Sequence, residues 1–198
     1  MNKEQWIENQ QNYDEIQNTQ KLWESIQANN ITPTDLYFEY LIIRLIAAID
    51  EFQNFEFSMK LDNDFKPKSF ASGKPDLIVS YDDLQLIGEA TLRPISGKVD
   101  HFSHLNEESK VKQLGMLFVK DIKKVDSQVW NTYKVYLQEK NKLFMICDVP
   151  YLLDLIKNDQ KITSNKFLEF IKNSENIWKT ESNWKLIQAK ITSILRKN

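Results

Sequence analysis

The sequence of 198 residues is poor in the residue types that cross-link a chain or bend it. It has one cysteine, Cys147, with four glycines and five prolines. A single cysteine excludes an intramolecular disulfide and a zinc site built on cysteines. Scarce glycine favours long regular elements over a turn-rich sandwich. Because Cys147 follows the apolar run Phe144–Ile146, we expect its thiol to be buried and inert.

An excess of charge and a long hydrophobic run are also missing. The net charge of −2 gives no overall basic character, so any contact with nucleic acid has to come from a local patch. No segment approaches the roughly 18 apolar residues that a membrane span needs, and the first residues lack the apolar stretch of a signal peptide. We therefore expect a globular protein of the cytoplasm that does not associate with a membrane.

Residues 1–50 have the pattern of helices. A stripe at near-helical spacing predicts one or two amphipathic helices before residue 30. The stripe consists of Trp6, Tyr13, Ile16, Trp23 and Ile26. Thr32, followed by proline, is expected to cap the next helix. That helix, from Leu36 to about Ile49, is apolar nearly all round and should be buried; its only charged side chains before Asp50 are Glu39 and Arg44.

Residues 51–148 change to strand-like patterns. The expected strands are 52–60, 76–81, 84–92, 115–119 and 142–147, with helices at about 106–113 and 126–140 and a basic loop at 66–74. A turn at Asp82-Asp83 joins the second and third strands into a hairpin. This order predicts an α/β sandwich around a mixed sheet.

Residues 149–198 return to helical patterns. Pro150 is expected to open one helix and Ser164 to cap another, and the last carries an apolar stripe. The stripe consists of Trp184, Ile187, Ile191 and Ile194. No repeat or low-complexity linker is visible, and the length fits one domain. We therefore predict a single domain over 1–198, made of helices (1–50), a sheet core (51–148) and helices (149–198).

Two carboxylates flank the predicted hairpin. Asp76 heads one strand, and Glu89 lies near the end of the other. Pairing of the strands brings both to the same edge of the sheet, although twelve residues separate them. Such a pair suits Mg²⁺ (or Mn²⁺), which takes one or two carboxylates with waters and phosphate oxygens; the Ala90 carbonyl is a natural third ligand. A metal held this way supports phosphodiester hydrolysis.

The setting of Glu89 strengthens this interpretation but leaves an alternative open. Apolar residues surround it, and an unpaired carboxylate there costs several kcal/mol, which a metal relieves. Alternatively, Glu89 lies on the solvent face of an edge strand and pairs with Arg93. Asp76 alone is a weaker signal, because Lys-Pro-Asp is common in ordinary turns.

A longer pattern surrounds the two carboxylates. The segments 73–81 (Gly-Lys-Pro-Asp-Leu-Ile-Val-Ser-Tyr) and 86–93 (Leu-Ile-Gly-Glu-Ala-Thr-Leu-Arg) resemble the catalytic hairpin of type IIS and nicking restriction endonucleases of the AlwI/BstNBI kind. In those enzymes a Pro-Asp strand precedes a Glu-Val-Thr-Leu strand. His104-Leu105 is similar to the family's Arg-His-Leu, and Gly115–Val119 to its next apolar strand, so the likeness spans about 75–125.

The resemblance implies a fold and an activity. The fold is a restriction-endonuclease-like mixed β-sheet flanked by helices, with extra N- and C-terminal helices. The activity is Mg²⁺-dependent DNA cleavage at a PD-(D/E)xK site. Thr91 stands where that motif has its lysine, as it does in the resembling enzymes. Candidates for the water-handling group are His101, His104, Glu107, Glu108 and Lys110. A loose, exposed pair is the alternative for the two histidines, and Asp100 is the nearest match to the family's acidic residue before His-Leu.

The resemblance also gives a role to the N-terminal helix, because such helices in this superfamily often supply an extra carboxylate. Glu39 could fulfil that role by bridging to the metal through water. The alternative is a buried Glu39–Arg44 pair, although their spacing of five residues is imperfect for one helix face.

Basic residues flank the hairpin on both sides. We expect Lys74, Arg93 and Lys98 to contact DNA phosphates, with Lys66 and Lys68 nearby. A second cluster is formed by Lys120, Lys123 and Lys124. The alternative is that these charges form ordinary solvated faces.

No helix-turn-helix, zinc finger or other base-reading module is visible. The sequence therefore predicts a cleavage subunit that cuts one strand of double-stranded DNA, in a heterodimeric restriction enzyme whose larger partner reads the target. The resemblance supports this, since family members with built-in recognition are much longer chains. The alternatives are a structure-specific or repair nuclease of the same fold, and an inactive subunit for DNA clamping or assembly.

Overall fold

The computed structural model describes residues 1–49, 52–70, 73–92, 102, 105, 110–132, 143–156 and 164–196, the first three of the last range by backbone only. Three helices come first: α1 (Lys3–Asn9), α2 (Tyr13–Gln27) and α3 (Thr34–Ala47). The strands are β1 (Asn54–Phe57), β2 (Lys60–Leu61), β3 (Pro67–Ser69), β4 (Leu77–Ser80), β5 (Leu84–Thr91), β6 (Lys112–Val119) and β7 (Phe144–Asp148). Helices α4 (Val149–Ile156), α5 (Ser164–Thr180) and α6 (Trp184–Leu195) follow.

The N-terminal helices match the predicted stripe except at one residue. Trp6, Trp23 and Ile26 are buried in α1 and α2, as expected, whereas Tyr13 is exposed at the first position of α2. A capping box closes the start of α1: the Asn2 side chain accepts from the N–H of Gln5, whose side chain accepts from the N–H of Asn2.

Helix α3 is buried on every side. All residues from Phe38 to Ala47 are buried, because the helix packs against α2, α4 and β5. Thr32 is not its N-cap, which corrects the prediction. Pro33 has φ −77° and ψ 127° and is itself the N-cap, since that position takes extended rather than helical dihedrals.

Five strands form one mixed sheet in the order β1-β4-β5-β6-β7. Strand β4 runs antiparallel to both β1 and β5, whereas β5, β6 and β7 are parallel to one another. The predicted α/β class and mixed sheet are confirmed. The carboxyl ends of β5, β6 and β7 therefore lie at one edge, together with the end of β1 and the start of β4.

Two predicted elements differ from the structure. The strand expected over 52–60 divides between sheets, because β2 leaves the main sheet and pairs with β3, which lies in the expected loop 66–74. The prediction of a helix over about 106–113 is wrong for its last two residues. Lys112 and Gln113 belong to β6, where the parallel ladder with β5 starts at Leu84; residues 106–109 lie outside the described residues. The helix expected over 126–140 is present at 127–132, and its remainder is also outside them.

The C-terminal helices cover the carboxyl-terminal strand. Trp178 of α5 stacks on Trp130 at 5.5 Å between ring centroids and packs against Phe144 of β7. The expected buried thiol is confirmed: Cys147 is fully buried, and burial raises its pKa well above the usual value. No helix of the described ranges is long and apolar enough to cross a membrane. That all these parts form one domain stays a prediction.

Candidate active site

The predicted hairpin of β4 and β5 is confirmed. Its register runs from Leu77 opposite Gly88 to Ser80 opposite Gln85, and the N–H of Tyr81 donates to the carbonyl of Leu84 at 2.8 Å across the turn. One further step along this register places Asp76 opposite Glu89. Residues opposite one another on antiparallel strands project from the same face, so both carboxylates lie on one face of the sheet.

Asp76 is held in place by main-chain contacts on both sides. Its Oδ2 accepts the N–H of Ala90 at 2.8 Å, and its carbonyl accepts the N–H of Ser58 at 3.1 Å. The side chain is only 8% exposed. The carboxylate is therefore fixed between the end of β1 and the end of β5 rather than mobile in an exposed turn.

Glu89 lies on the central strand of the sheet. It is 2% exposed, and Leu117 of β6 is its partner in the ladder on the side away from β4. The alternative of a solvent-facing edge strand is therefore wrong, because β5 has a strand on each side. Arg93, the partner suggested in that alternative, lies outside the described residues.

The opposite face of the hairpin is closely packed. A Cβ added at Gly88 would meet Leu77 Cδ1 at 2.5 Å and Phe118 Cε2 at 2.9 Å. Alternation along β5 puts Gly88 and Ala90 on this face and Glu89 and Thr91 on the other. On that other face, a Cβ added at Gly115 would meet the Phe102 ring at 2.7 Å. Gly115 is the ladder partner of Ile87, so the Phe102 ring packs on the face that carries Glu89.

Ser58 is a residue of this edge that the sequence reasoning missed. Phe57 pairs with Leu77, so Ser58 stands beside Asp76 and projects on the face of the carboxylates. Alternation along the strand predicted over 52–60 puts Phe55, Phe57 and Met59 on one face and Ser58 on the other. The register that brings Ser58 to Asp76 depends on strands distant in sequence, so no local signal could reveal it.

Glu39 is buried on α3, at 4% exposure. Arg44, its suggested partner, turns to α2 instead: it forms an ion pair with Glu15 and donates to Thr19 Oγ1 at 2.8 Å. The alternative Glu39–Arg44 pair therefore gains no support. Within the described ranges, no three or more His, Cys, Asp or Glu side chains are grouped as metal ligands, so a role of Glu39 through water stays a prediction.

The remaining predicted residues divide into exposed ones and ones that the structure does not describe. Lys74 is exposed two residues before Asp76, and Lys66, Lys68 and Lys110 are exposed as well. Arg93, Lys98, Asp100, His101, His104, Glu107 and Glu108 lie outside the described residues, so their predicted roles stay predictions.

A further buried carboxylate at the same edge was also missed. Asp148 ends β7 and is 0% exposed. Its oxygens accept the N–H groups of Ile122 at 3.1 Å and Tyr151 at 3.3 Å and form an ion pair with Arg196. Every oxygen of this carboxylate thus has partners within the fold, which identifies Asp148 as a structural group that ties α6 to the sheet.

Comparison with known proteins agrees with this geometry. Over 88% of its length, the chain superposes on 97% of the small subunit of the heterodimeric restriction endonuclease R.BspD6I, with a TM-score of 0.67 and 16% sequence identity. At that identity the likeness shows a shared fold. No curated protein sequence matches the chain. The family profile of the AlwI restriction endonuclease matches residues 1–140, well over half of the sequence. The chain therefore belongs to the AlwI restriction endonuclease family.

Proposed function

We propose that this nuclease is the metal-dependent cleavage subunit of a type II restriction enzyme and hydrolyses one strand of double-stranded DNA. The proposal rests on the positions of Asp76 and Glu89. These two buried carboxylates lie opposite each other, just before β4 and near the end of β5. Facing like charges repel, and burial makes that repulsion stronger than it is in water. A divalent cation between them would remove it.

The donor set fits Mg²⁺, with Mn²⁺ as a substitute. Both ions take hard oxygen ligands, and Mg²⁺ keeps several waters beside one or two carboxylates. Because the N–H and C=O of one residue point to the same side of an extended strand, the Ala90 carbonyl faces the side of β5 on which Asp76 accepts the Ala90 N–H. This supports the predicted ligand set of Asp76, Glu89 and the Ala90 carbonyl. When bound, the metal polarises the phosphate and lowers the pKa of a bound water.

Thr91 occupies the position two residues after Glu89 on the same face, and it is buried. Its neutral hydroxyl can donate and accept hydrogen bonds, so it can orient a water. It cannot assist by positive charge, as a lysine would. We therefore propose that Thr91 positions the attacking water and that His104 or another group of the following segment takes the proton. Glu39 contributes through a bridging water.

The division of labour rests on size and fold. The chain covers nearly all of a protein that is itself the small subunit of a heterodimer. By analogy, a larger partner reads the sequence, while Lys74, Arg93 and Lys98 hold phosphates beside the cut. A restriction enzyme acts on DNA inside the cell, so we place the protein in the cytoplasm.

Removal of either carboxylate tests the proposal. Asp76→Asn and Glu89→Gln should abolish Mg²⁺-dependent nicking of supercoiled plasmid and Mg²⁺ binding measured by calorimetry. Asp83→Asn, in the exposed turn at the other end of the hairpin, makes the same charge change and should leave both intact. Full activity in both carboxylate variants would contradict the assignment. Retained DNA binding without any divalent-metal binding in the wild type would favour the inactive clamping subunit instead.

A further inference from the structure

A partly open cavity of about 480 Å³ is lined by residues on either side of Asp76 in the chain. Its walls are formed by the end of β1, the segment before β4 and the residue after β3. The lining residues that matter for its chemistry are Glu56, Ser58, Lys60, Phe70 and Lys74. We call this cavity the lysine groove.

The lysine groove reaches the chain neighbours of Asp76. Pro75 and Leu77, the two neighbours of Asp76 in the chain, both line it. Ser58 donates its N–H to the Asp76 carbonyl and projects on the face that carries Asp76 and Glu89. Ser58 therefore links the groove to Asp76, so a phosphodiester strand bound at Asp76 could place its neighbouring phosphates in the groove.

The charges of the groove favour an anion. Lys60 and Lys74 are both exposed at its walls, and a third ammonium group stands near: Lys3 Nζ lies 4.0 Å from the centroid of the Phe57 ring and donates to the Phe57 carbonyl at 3.4 Å. Phe57 itself lines the groove. Three ammonium groups around one groove raise the local concentration of a polyanion, although the whole chain carries a net charge of −2.

Two further features point to a ligand rather than to solvent. The Ser58 hydroxyl is buried and has no hydrogen-bond partner in the described part of the chain, a state that costs about 1–3 kcal/mol when nothing compensates it. Phe70 is 51% exposed at the wall of the groove. An aromatic ring there can pack against a sugar or a base, as in other grooves that follow a nucleic-acid strand.

We propose that the lysine groove binds the backbone of the DNA strand next to the scissile phosphate. Lys60 and Lys74 contact successive phosphates, and the Ser58 hydroxyl turns about its Cα–Cβ bond to donate to a phosphate oxygen near Asp76. This inference rests on the proposed function, because it takes DNA as the substrate. It adds Lys60, Ser58 and Phe70 to the residues that the sequence suggested.

Glu56 offers a test in which the expected change in DNA affinity has the opposite sign. It is the acidic residue of the groove lining, it is exposed, and it accepts a hydrogen bond from Asn54 Nδ2 at 2.7 Å. It stands opposite Ile78, one step along β1 from the Asp76 end. If DNA passes through the groove, Glu56 repels it, so removing this charge should strengthen binding.

The experiment measures binding of a short labelled duplex by fluorescence anisotropy in EDTA, over a range of NaCl concentrations. Lys60→Gln and Lys74→Gln should each weaken binding about threefold, a typical effect of one exposed charge, and should each lower the salt slope by about 1. The matched control is Lys172→Gln, at an exposed position of α5, which should change neither quantity. Glu56→Gln should bind more tightly than the wild type.

Ser58 needs a readout that separates binding from folding. Ser58→Ala removes a buried hydroxyl that has no hydrogen-bond partner in the described part of the fold, so the unfolding midpoint should stay unchanged or rise while DNA affinity falls. Ser58→Thr keeps a hydroxyl and should recover most of the affinity. A fall in affinity that only follows a fall in stability would remove Ser58 from the proposal.

The outcomes for the groove and for the metal site can be told apart. If the two lysine variants behave like Lys172→Gln, or if the wild type shows no salt-dependent binding, the groove proposal is overturned, even when Glu89→Gln abolishes cutting. If the lysine variants lose affinity while Asp76→Asn and Glu89→Gln still cut DNA, the groove stands and the proposed metal site falls.

Discussion

Two regions at one edge of the sheet hold buried carboxylates, and they differ in what surrounds the charge. Asp148 ends β7 and has its counter-charge in the chain itself, from Arg196 beyond α6. Asp76 and Glu89, on neighbouring strands, have a second carboxylate as their opposite neighbour. Thr91, Val119 and Asp148 are consecutive ladder partners, so both regions lie on one face.

This difference separates a structural carboxylate from a candidate catalytic one. Burial alone does not distinguish them, because Asp148 is the most buried of the three. Asp148 is surrounded by donors that come from three parts of the chain, which hold its carboxylate in one position. The pair on the hairpin places two carboxylates opposite each other, which is the arrangement on which the proposed metal site rests. The following experiments test that contrast, from the largest expected effect to the smallest.

The largest effect should separate the two regions by activity. Glu89→Gln is expected to lower the rate of Mg²⁺-dependent cleavage by about 1,000-fold or more, since several kcal/mol of metal stabilisation are lost. Asp148→Asn should keep cleavage per folded molecule within a few-fold of the wild type. The readout is the single-turnover rate of plasmid nicking, corrected for the folded fraction. Equal decreases of this rate in both variants would contradict the assignment of different roles to Glu89 and Asp148.

The second effect concerns stability and should have the reverse pattern. Arg196→Met leaves the Asp148 carboxylate buried without its cation and should lower the free energy of unfolding by about 2–3 kcal/mol, below the full cost for a deeply buried pair because Arg196 is partly exposed. The control is Lys190→Met, which breaks the pair between Lys190 in α6 and Glu181 just before it. This change should have no measurable effect on the free energy of unfolding. Urea unfolding curves decide; equal midpoints for both variants would show that Asp148 does not depend on Arg196.

The third effect is the response to metal. Mg²⁺ at about ten times its dissociation constant should raise the free energy of unfolding by about 1.4 kcal/mol. The increase should vanish in Glu89→Gln and remain in Asp148→Asn. Thermal unfolding with and without Mg²⁺, in each variant, measures it. An increase that survives in Glu89→Gln would place the cation elsewhere.

The smallest effect concerns a more exposed ion-pair group, Glu175 with Lys112 and Lys179. Burial by itself raises the pKa of Glu175, but hydrogen bonds and charge from the two lysines outweigh it and hold the pKa below the usual 4.5. A lowered folded-state pKa contributes stability above the unfolded pKa, and the contribution is lost as the pH falls through the folded pKa.

Glu175→Gln should therefore destabilise the protein at neutral pH by about 1 kcal/mol or less. The difference from the wild type should disappear by about pH 3. Urea midpoints at both pH values provide the measurement. A difference that persists at the lower pH would mean that Glu175 acts through packing rather than charge.

Local patterns were sufficient for the hairpin and for its carboxylates. Alternation on both sides of the Asp82-Asp83 turn predicts antiparallel pairing, and pairing alone brings Asp76 and Glu89 to one edge. Local patterns failed where a strand begins with polar residues: Lys112 and Gln113 resemble the end of a helix until the ladder with β5 is known. They also failed at Thr32, because the extended dihedrals of Pro33 make Pro33 the N-cap and move the helix start by one residue.

The sequence by itself determined the α/β class, the hairpin, the two carboxylates and the likeness to restriction endonucleases, because each depends on residues close together in the chain. Only the tertiary structure decided that β5 is central, that Ser58 stands beside Asp76, and that Arg196 neutralises Asp148 across 48 positions. These contacts depend on strand order and helix docking, which are set by the packing of the whole core and leave no periodic signal in any one segment.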